Sequence, residues 1–378
     1  MYNKIIEANK AWTDEVWQKL DNKLSRTTIA SRDKIPYTTV NGVHDDKKEK
    51  QLNWWTNGFW GGLNWLMYIG TGKEDYKITA ERSEELLDGV LYKDITRLHH
   101  DVGFQWNITS GVNYRQTENP ASKNRALIAA MSLSARYNIT GKFIRAWNQP
   151  ERTGWTIIDT MMNLPLLYRA TNIIGDVRFK KVAMAHADMA MKSHIRDDGS
   201  VIHIVSHDVD TGEDIETCGG QGYGVGSAWS RGAAWALYGF ALSYLHTGKE
   251  EYMETAKKVA NYFIASVSET GYLPLVDFKA PAEPVLYDST AGAIAACGLI
   301  EIAKYVTNET EQALYLNAAI KILKAMEKEF CNWEDNEDSI LQMGTEAYSK
   351  GIHIPIIYGD FYFAEAIYKL KGFDFLVW

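Results

Sequence analysis

Apolar and polar residues alternate along this chain in two kinds of helical segment. The segment Arg231 to His246 is apolar nearly all round and rich in Gly and Ala, which predicts a helix buried on every side. In the next segment, Glu251 to Val267, the apolar residues fall on one stripe and the charged residues lie opposite. That pattern predicts a surface helix. The two kinds of segment alternate strictly, so the chain is predicted to form six inner and six outer helices.

The turns between these helices repeat as well. TGKEDY at 71–76, TGKEEY at 247–252 and IGDVRF at 174–179 each follow an apolar helix and open an amphipathic one. Short turns make neighbouring helices antiparallel, so all inner helices run the same way and gather their N-terminal ends at one mouth. This arrangement is an all-α (α/α)6 barrel, predicted as a single catalytic domain over residues 1–378. The outer helices are predicted at about 2–25, 75–95, 121–138, 176–195, 250–268 and 310–329, and the inner helices at about 58–70, 101–113, 156–171, 228–246, 286–305 and 358–370.

The connections into the inner helices are long, and long loops on one face of a rigid scaffold often carry function. The longest, Asp197 to Ser227, contains VIHIVSHDVDTGEDI, which predicts a small hairpin around Asp210-Thr211-Gly212. The stretch GGQGYGVGS at 219–227 follows. It lacks the Lys-Ser/Thr pair of a phosphate-binding loop and no strand precedes it, so we reject nucleotide binding and interpret the stretch as a flexible wall of a pocket. No run of strands indicates a β domain.

Polar residues stand at the start of several apolar runs, where a barrel would collect them at its mouth. The clearest is Asp159 in WTIIDTMMNLPLL at 155–167, for which an N-cap role is an equal alternative. A helix start disfavours a cation, so we interpret Arg231 as a receptor for a carboxylate rather than as a salt-bridge partner of Asp288 or Asp360. The residues expected to meet at the mouth are Asp101, Asp159, Trp229, Arg231, Asp288 and Asp360.

Composition narrows the class of partner and the compartment. The net charge is −8, so we expect no nucleic-acid partner, and an anionic sugar would need a locally positive pocket. There are three cysteines and no CxxC spacing, and the N-terminus lacks the apolar core of a signal peptide. These features predict reduced thiols and a cytoplasmic protein. The longest apolar run, Ala291 to Ile300, is too short to span a bilayer, so we expect no membrane partner.

Aromatic and histidine residues supply further candidates. The chain has 13 tryptophans, whose faces match the C–H faces of sugar rings. Trp60 is expected in the core, whereas Trp147, Trp229 and Trp235 are better placed for a pocket. His99-His100-Asp101 could ligate a metal, but no further His stands at a matching position. We therefore expect no metal, and expect Asp101 and one of these His residues to line the mouth as hydrogen-bonding groups.

Seven blocks, taken together and in order, resemble the unsaturated glucuronyl hydrolases of glycoside hydrolase family 88, and the resemblance spans nearly the whole chain. They are W-T-N-G-F-W (55–60), H-H-D-V-G-F (99–104), A-W (146–147), I-I-D-x-x-x-N-L (157–164), W-x-R-G-x-A-W (229–235), D-S-T-A-x-A-I (288–294) and G-D-F-Y (359–362).

The resemblance implies a hydrolase without a cofactor that acts on an oligosaccharide capped by a Δ4,5-unsaturated uronic acid. Such enzymes hydrate the C4=C5 vinyl ether, and the resulting hemiketal collapses and releases the rest of the sugar. By similarity, Asp159 occupies the acid/base position and Asp101 the paired acidic position. The expected substrate-binding residues are Trp55, Asn57, His100, Trp147, His203, Gln221, Trp229, Arg231, Trp235 and Tyr348.

One stretch departs from the family pattern. Members that prefer sulfated fragments carry a Ser- and Lys-bearing loop before the last inner helix, and the stretch GTEAYSKGIHIP at 344–355 is shorter. The sulfation preference therefore stays open, as do the linkage, the parent polysaccharide and the oligomeric state.

Three other functions are compatible with the pattern. An unsaturated rhamnogalacturonyl hydrolase of family 105 shares the fold and reaction but acts on pectin fragments. An inverting glycosidase on the same barrel would use two carboxylates and attack the anomeric carbon. A catalytically silent sugar-binding protein is the third. The His99-His100-Asp101 block and the W-S-R-G block favour the glucuronyl family over the rhamnogalacturonyl one, and intact Asp159 and Asp101 argue against a silent protein.

Overall fold

The helices of the chain form two concentric rings in a computed structural model that describes residues 1–378. The inner ring consists of six units that pack side by side and close on themselves, and the outer ring covers them. In chain order the α-helices are α1 (Tyr2–Ala30), α2 (Phe59–Thr71), α3 (Glu74–Leu86), α4 (Asp88–Leu91), α5 (Val102–Trp106), α6 (Ser110–Thr117), α7 (Pro120–Ser134), α8 (Leu164–Ile174), α9 (Val177–Ser193), α10 (Ser230–Thr247), α11 (Glu250–Ser268), α12 (Ser289–Tyr305), α13 (Glu309–Phe330) and α14 (Ile357–Leu370).

The inner ring contains α2, α5 with α6, α8, α10, α12 and α14, and the outer ring contains α1, α3, α7, α9, α11 and α13. Inner helices are buried on all sides: every residue of α12 from Ser289 to Ala303 is buried. Close approach within the ring needs small residues, because a Cβ on Gly298 would lie 2.3 Å from Leu237 Cδ1. The predicted (α/α)6 barrel is confirmed.

Two inner units differ from their predicted form. The helix predicted at 101–113 is broken into α5 and α6, since Thr109 leaves helical geometry with φ −104° and ψ −90°. The helix predicted at 156–171 begins only at Leu164. Pro165 has no N–H group and fits a helix only in its first turn, so it fixes the start of α8 there. The residues before α8 are free to form a strand and a tight turn.

Short turns connect each inner helix to the next outer one, as predicted. Gly72, Gly175 and Gly248 follow α2, α8 and α10 with φ of 72°, 73° and 71°. This left-handed conformation ends a helix and is disfavoured for residues with a Cβ. All three turns lie at the pole opposite the mouth, because they follow the C-terminal ends of inner helices.

Seven short strands lie on the mouth side or the periphery. In chain order they are β1 (Thr39–Val40), β2 (Val43–His44), β3 (Tyr137–Asn138), β4 (Phe143–Ile144), β5 (Trp155–Ile157), β6 (Ile204–His207) and β7 (Asp214–Cys218). The predicted hairpin is present as β6 and β7, and β5 adds a third antiparallel strand that was not predicted. Ile157 pairs with Ile204, and the N–H of Ile158 donates to the carbonyl of His203 at 3.1 Å. The sheet therefore brings His203 beside the turn that carries Asp159.

The barrel axis is filled with aromatic side chains. Trp378, from the tail after α14, is fully buried and stacks on Tyr362 at 5.9 Å with an interplanar angle of 4°. Its ring also lies 6.1 Å from Phe104, and its Nε1 donates to Glu365 Oε2 at 3.1 Å. Trp60 is buried against His44, which confirms its expected place in the core.

The state of the cysteines matches expectation. All three cysteines are free, as predicted. None of the helices combines the length and apolar character that crossing a bilayer requires. The single-domain organisation and the cytoplasmic location stay predictions.

Candidate active site

Asp159 lies at the mouth of the barrel, in a 3₁₀ turn (Ile158–Met162) between β5 and α8. Its side chain is nearly buried, at 8% exposure, and its Oδ1 has no hydrogen-bond partner. Asn163, not Asp159, occupies the N-cap position of α8, so the N-cap interpretation is wrong. A buried carboxyl oxygen without a partner costs stability, which is typical of a group kept for its chemistry.

Asp101 is the second carboxyl at the mouth, directly before α5, and it is surrounded by the two preceding histidines. Its Oδ2 lies 3.1 Å from His99 Nδ1 and 3.3 Å from His100 Nε2. Burial raises the pKa of the Asp101 carboxyl, but His100 and His99 outweigh burial and hold that pKa below its ordinary value. Asp101 is therefore ionised at neutral pH.

His100 is held in a defined tautomer. Burial lowers the pKa of His100 to about 4, so the ring is neutral at physiological pH. Its Nδ1 lies 3.0 Å from the hydroxyl of Thr160, which can donate to it, while Nε2 faces the Asp101 carboxylate and carries the proton. Thr160 directly follows Asp159, so His100 contacts both the Asp101 carboxylate and the turn that carries Asp159.

His203 faces Asp159 from the sheet. Its Nδ1 accepts the backbone N–H of Gln221 at 3.1 Å, so a neutral ring carries its proton on Nε2, which lies 3.5 Å from Asp159 Oδ1. The ring of His203 packs against Trp229 with centroids 4.1 Å apart. His203 Nε2 and Trp229 Nε1 are both buried and have no hydrogen-bond partner. Two buried N–H donors on contacting rings, and the carboxyl oxygen that faces one of them, therefore have no hydrogen-bond partner.

Arg231 is placed differently from the interpretation as a carboxylate receptor. The guanidinium is 1% exposed and forms a buried ion pair with Asp288, through Nη1. Nη1 also donates to the carbonyl of Thr345 at 2.6 Å, and Nη2 donates to that of Glu346 at 2.7 Å. The alternative salt bridge to Asp288 is thus present, and the terminal nitrogens that would grip a carboxylate are already engaged. Burial lowers the pKa of Arg231, but Asp288 and other neighbours, Asp159 among them, outweigh burial and raise it.

The remaining acidic residue expected at the mouth has a structural role. Asp360, in the first turn of α14, is 1% exposed and accepts the hydroxyl of Ser339 at 2.9 Å and the N–H of Leu341 at 2.6 Å. Its oxygens are directed at the loop before α14, so the expectation that Asp360 joins the pocket is wrong. Four residues at the mouth, Asp101, Asp159, Trp229 and Arg231, do lie near one another.

Three expected substrate-binding residues belong largely to the packing beneath the mouth. Trp235 has no exposed surface and lies against Phe104 at 5.1 Å, so it does not reach a substrate in this conformation. Asn57 is also buried, and its Nδ2 donates to the carbonyls of residues 51 and 52. Trp55 is half-buried and packs on Tyr358 at 4.9 Å. The motifs identify these three positions, but they do not show how far packing in the folded barrel buries each side chain.

The walls of the mouth come from long loops. Trp147 is half-buried and lies 6.1 Å from the His100 ring. Gln221 is joined to the loop before α14, because its carbonyl accepts the N–H of Tyr348 at 2.8 Å and its Nε2 donates to Glu346 O at 2.8 Å. Tyr348 in turn packs on Tyr223 at 5.1 Å. The glycine-rich stretch is therefore a wall, as predicted, but β7 ends directly before it at Cys218, so the expectation that no strand precedes it is wrong.

Asp277 supports the site, although no sequence motif points to it. Its Oδ2 accepts the N–H of Tyr223 at 3.0 Å, and its Oδ1 accepts the N–H of Ala228 at 2.9 Å. It therefore fixes both ends of the segment that runs from the glycine-rich stretch to Trp229. No local pattern marks it, since it stands in a loop without a flanking motif and its partners are distant in the chain.

The geometry can be compared with known proteins. The model of Glycosyl Hydrolase Family 88 matches residues 30–375. The unsaturated glucuronyl hydrolase of Bacillus sp. (strain GL1) is 36% identical over 329 residues, which cover 84% of this chain and 86% of that protein.

Solved structures agree with this match. The crystal structure of unsaturated glucuronyl hydrolase from Bacillus sp. GL1 superposes with a TM-score of 0.86 and 32% identity, covering 94% of this chain and 97% of that one. A mutant unsaturated glucuronyl hydrolase from Streptococcus agalactiae, complexed with dGlcA-GalNAc6S, superposes with a TM-score of 0.81 and 26% identity. The match covers 97% of this chain and 93% of that one.

Proposed function

The chain belongs to glycosyl hydrolase family 88, and from that premise we propose that it removes the Δ4,5-unsaturated glucuronic acid from the end of an oligosaccharide, with Asp159 as the acid and base. The observation that supports this role is the Asp159 carboxyl group itself. It is nearly buried, its Oδ1 has no hydrogen-bond partner, and it faces a histidine N–H across 3.5 Å. The protein is a glycoside hydrolase that needs no cofactor in this scheme.

The reaction begins with proton transfer from the Asp159 carboxyl group to C4 of the vinyl ether. The positive charge that develops at C5 is shared with the ring oxygen, and water adds to C5 while the Asp159 carboxylate takes its proton. The resulting hemiketal breaks its C5–ring-oxygen bond to give a C5 ketone. The hemiacetal left at C1 then expels the second sugar as an alcohol. One water is consumed, and Asp159 returns to its protonated form.

Asp101 supplies the second carboxyl group at the mouth. It is ionised, and His99 and His100 hold it in place, so its other oxygen is available to accept a hydrogen bond from a sugar hydroxyl. Asp101 thus orients the substrate, without transferring a proton itself.

The uronate carboxylate needs donors other than the terminal nitrogens of Arg231. We assign this task to His203 Nε2–H and Trp229 Nε1–H, which are buried without a hydrogen-bond partner on two rings that pack together. The buried Arg231 contributes a positive potential next to these donors, because it stacks over Trp229 at 4.6 Å. Trp147 and Tyr348 each form part of the wall for the sugar rings.

The test compares hydration of lyase-generated disaccharides by Asp159→Asn and by wild-type protein. Hydration is followed as loss of the ultraviolet absorbance of the conjugated enol-ether acid. We expect the variant to lose at least about 10²–10⁴-fold in turnover with an unchanged melting temperature, because the amide keeps the shape but carries no transferable acid proton. Asp176→Asn is the matched control: Asp176 caps α9 at the opposite pole, where Asn caps equally well, and activity should not change.

Two results would contradict the proposal. Near-wild-type activity of Asp159→Asn would remove Asp159 from the acid/base role. Solvent ¹⁸O found on the anomeric carbon of a product, rather than at C5, would show ordinary glycoside hydrolysis and favour an inverting glycosidase.

A further inference from the structure

Arg152 has a guanidinium group that packs over two neighbouring tryptophans and has no acidic partner. Its guanidinium carbon lies 5.4 Å from the ring centroid of Trp147 and 5.0 Å from that of Trp155. The side chain is half-buried, forms no salt bridge and donates no side-chain hydrogen bond. Stacking fixes the plane of the cation while its N–H groups remain available to a ligand.

Other cations around the mouth are already committed. Arg231 pairs with Asp288, and Lys350 lies 2.6 Å from Glu346 Oε1. Arg136 donates to the carbonyl of Arg145 at 2.8 Å and to that of Trp147 at 3.0 Å. In a chain of net charge −8, a cation with unused donors beside a carbohydrate site is poorly explained by folding alone.

The position of Arg152 suits a sugar that follows the unsaturated one. Trp147 contacts His100, which faces Asp101. Arg152 and its two tryptophans therefore lie next to the active-site carboxyl groups. Trp155 begins β5, and Asp159 follows four residues later. At about 3.3 Å per residue, these two positions lie at most about 13 Å apart. An oligosaccharide with its unsaturated end at Asp159 can therefore pass along the tryptophans toward the guanidinium.

We propose that Arg152, oriented by Trp147 and Trp155, binds an anionic group, a sulfate ester or a carboxylate, on the reducing-end side of the unsaturated sugar. This inference rests on the proposed function and adds a specificity-determining residue to it. The guanidinium offers a planar pair of N–H donors, which matches two oxygens of either group. A solved relative is complexed with dGlcA-GalNAc6S, a disaccharide with a sulfate ester on its second sugar.

A nearby carboxylate provides a test of opposite sign. Glu216 pairs with Ser206 across the sheet, and Ser206 pairs with Trp155, which packs against Arg152. Burial and Glu216 raise the pKa of the nearby Cys218 thiol, whereas Arg152 lowers it. Glu216 is exposed on β7 and forms no salt bridge with Arg152. Its negative charge opposes an anion bound by Arg152. Removing the Glu216 charge should therefore strengthen binding of the anionic group, whereas removing Arg152 should weaken it.

The experiment measures kcat and KM for hydration with three substrates: an unsaturated disaccharide whose second sugar is uncharged, a disaccharide with one sulfate on that sugar, and an unsulfated tetrasaccharide whose third residue is a uronate. The last two carry an additional anionic group beyond the unsaturated sugar. For Arg152→Gln we expect kcat/KM to fall about tenfold on one or both of these, mainly through KM, and less than about twofold on the disaccharide without the additional anion. Arg152→Lys should recover part of the loss, because the charge returns without the planar pair. Glu216→Gln should raise kcat/KM on the same anionic substrate by about twofold.

Lys324→Gln is the matched control, since it removes another cation that lies over a tryptophan, 5.1 Å from Trp12, on the outer ring. It should leave all three values unchanged. A loss confined to the sulfated disaccharide identifies a sulfate ester as the ligand, and a loss confined to the tetrasaccharide identifies a carboxylate.

Two outcomes overturn the inference. An equal loss on all three substrates would show that Arg152 only supports the tryptophans, and no loss on any would show that it binds nothing. Both require a wild-type protein that hydrates its substrates. A wild-type protein that hydrates none of them would instead refute the proposed function, and the assignment of Arg152 with it.

Discussion

Arg231→Ala should destabilise the fold strongly, because it leaves a buried carboxylate without its counter-charge. Asp288 has no exposed surface, and without Arg231 it retains only Thr290 and the N–H of Thr345 as donors. Removing one partner of a buried ion pair costs about 3–5 kcal/mol. With an unfolding entropy of about 2.1 cal/mol/K per residue over 378 residues, the melting temperature should fall by about 4–6 °C.

The same substitution should lower activity through a loop. Arg231 holds the carbonyls of Thr345 and Glu346, and Glu346 O also accepts from Gln221. Releasing this loop loosens the wall that carries Tyr348 and weakens the positive potential at Trp229. We expect kcat/KM to fall about tenfold, with Arg231→Lys recovering part of the stability because an ammonium can pair with Asp288 but does not reach both carbonyls.

The assay combines calorimetric melting with hydration kinetics for Arg231→Ala, Arg231→Lys, Asp288→Asn and the double variant Arg231→Ala/Asp288→Asn. Because the two side chains form one ion pair, the double variant should lose less stability than the sum of the single losses. The reasoning is refuted if Arg231→Ala melts within about a degree of wild type while kcat/KM falls a hundredfold. That pattern would make the guanidinium a direct substrate receptor.

Two further predictions use other parts of the structure. A Cβ on Gly220 would lie 2.2 Å from His203 Nδ1, so Gly220→Ala should displace the His203 ring and reduce kcat at least about tenfold. Gly224→Ala is the control and should retain activity, because its Cβ meets nothing within 4 Å. Equal kinetics for the two variants would contradict the placement of His203. Burial lowers the pKa of His246 to about 3, so the folded state excludes a proton that the unfolded chain binds below about pH 6.5. Its stabilising contribution is complete above that pH and is lost as the pH falls toward 3. Between pH 7 and pH 4 the melting temperature should therefore fall less steeply with decreasing pH for His246→Gln than for wild type. An equal pH dependence of the two melting temperatures would show that this ring does not titrate as described.

The barrel could be predicted from the sequence because its cause is local. Each helix carries its own periodicity, and residues such as Gly72 and Gly248 mark where inner helices end. The same local signals held one unused clue: Pro165 fits only a first helical turn, so it placed the start of α8 after Asp159 and argued against an N-cap there. β5 was missed because three residues are too short to show a period of two.

The candidate site was only partly predictable, because partners meet through the closed ring. Arg231 and Asp288 begin different helices, and nothing in either segment reveals that they pair. Trp235 matches a motif, yet burial depends on packing from Phe104 and Tyr362, which the motif does not contain. Asp159 was identifiable as an isolated carboxyl group in an apolar stretch, whereas its missing hydrogen-bond partner is a property of the folded chain alone.

Closure of the ring also governs how the chain can fold during synthesis. The first helix packs against α13 and α14, and Lys23 Nζ donates to the carbonyl of Asn332 at 2.6 Å, across 309 residues. Contacts of such high order form slowly, and the apolar inner helices made early stay exposed until α14 emerges from the ribosome. Growing chains are therefore exposed to aggregation for most of translation. A variant that slows docking of α14 should lower the yield of soluble protein even where the folded fraction keeps its full specific activity.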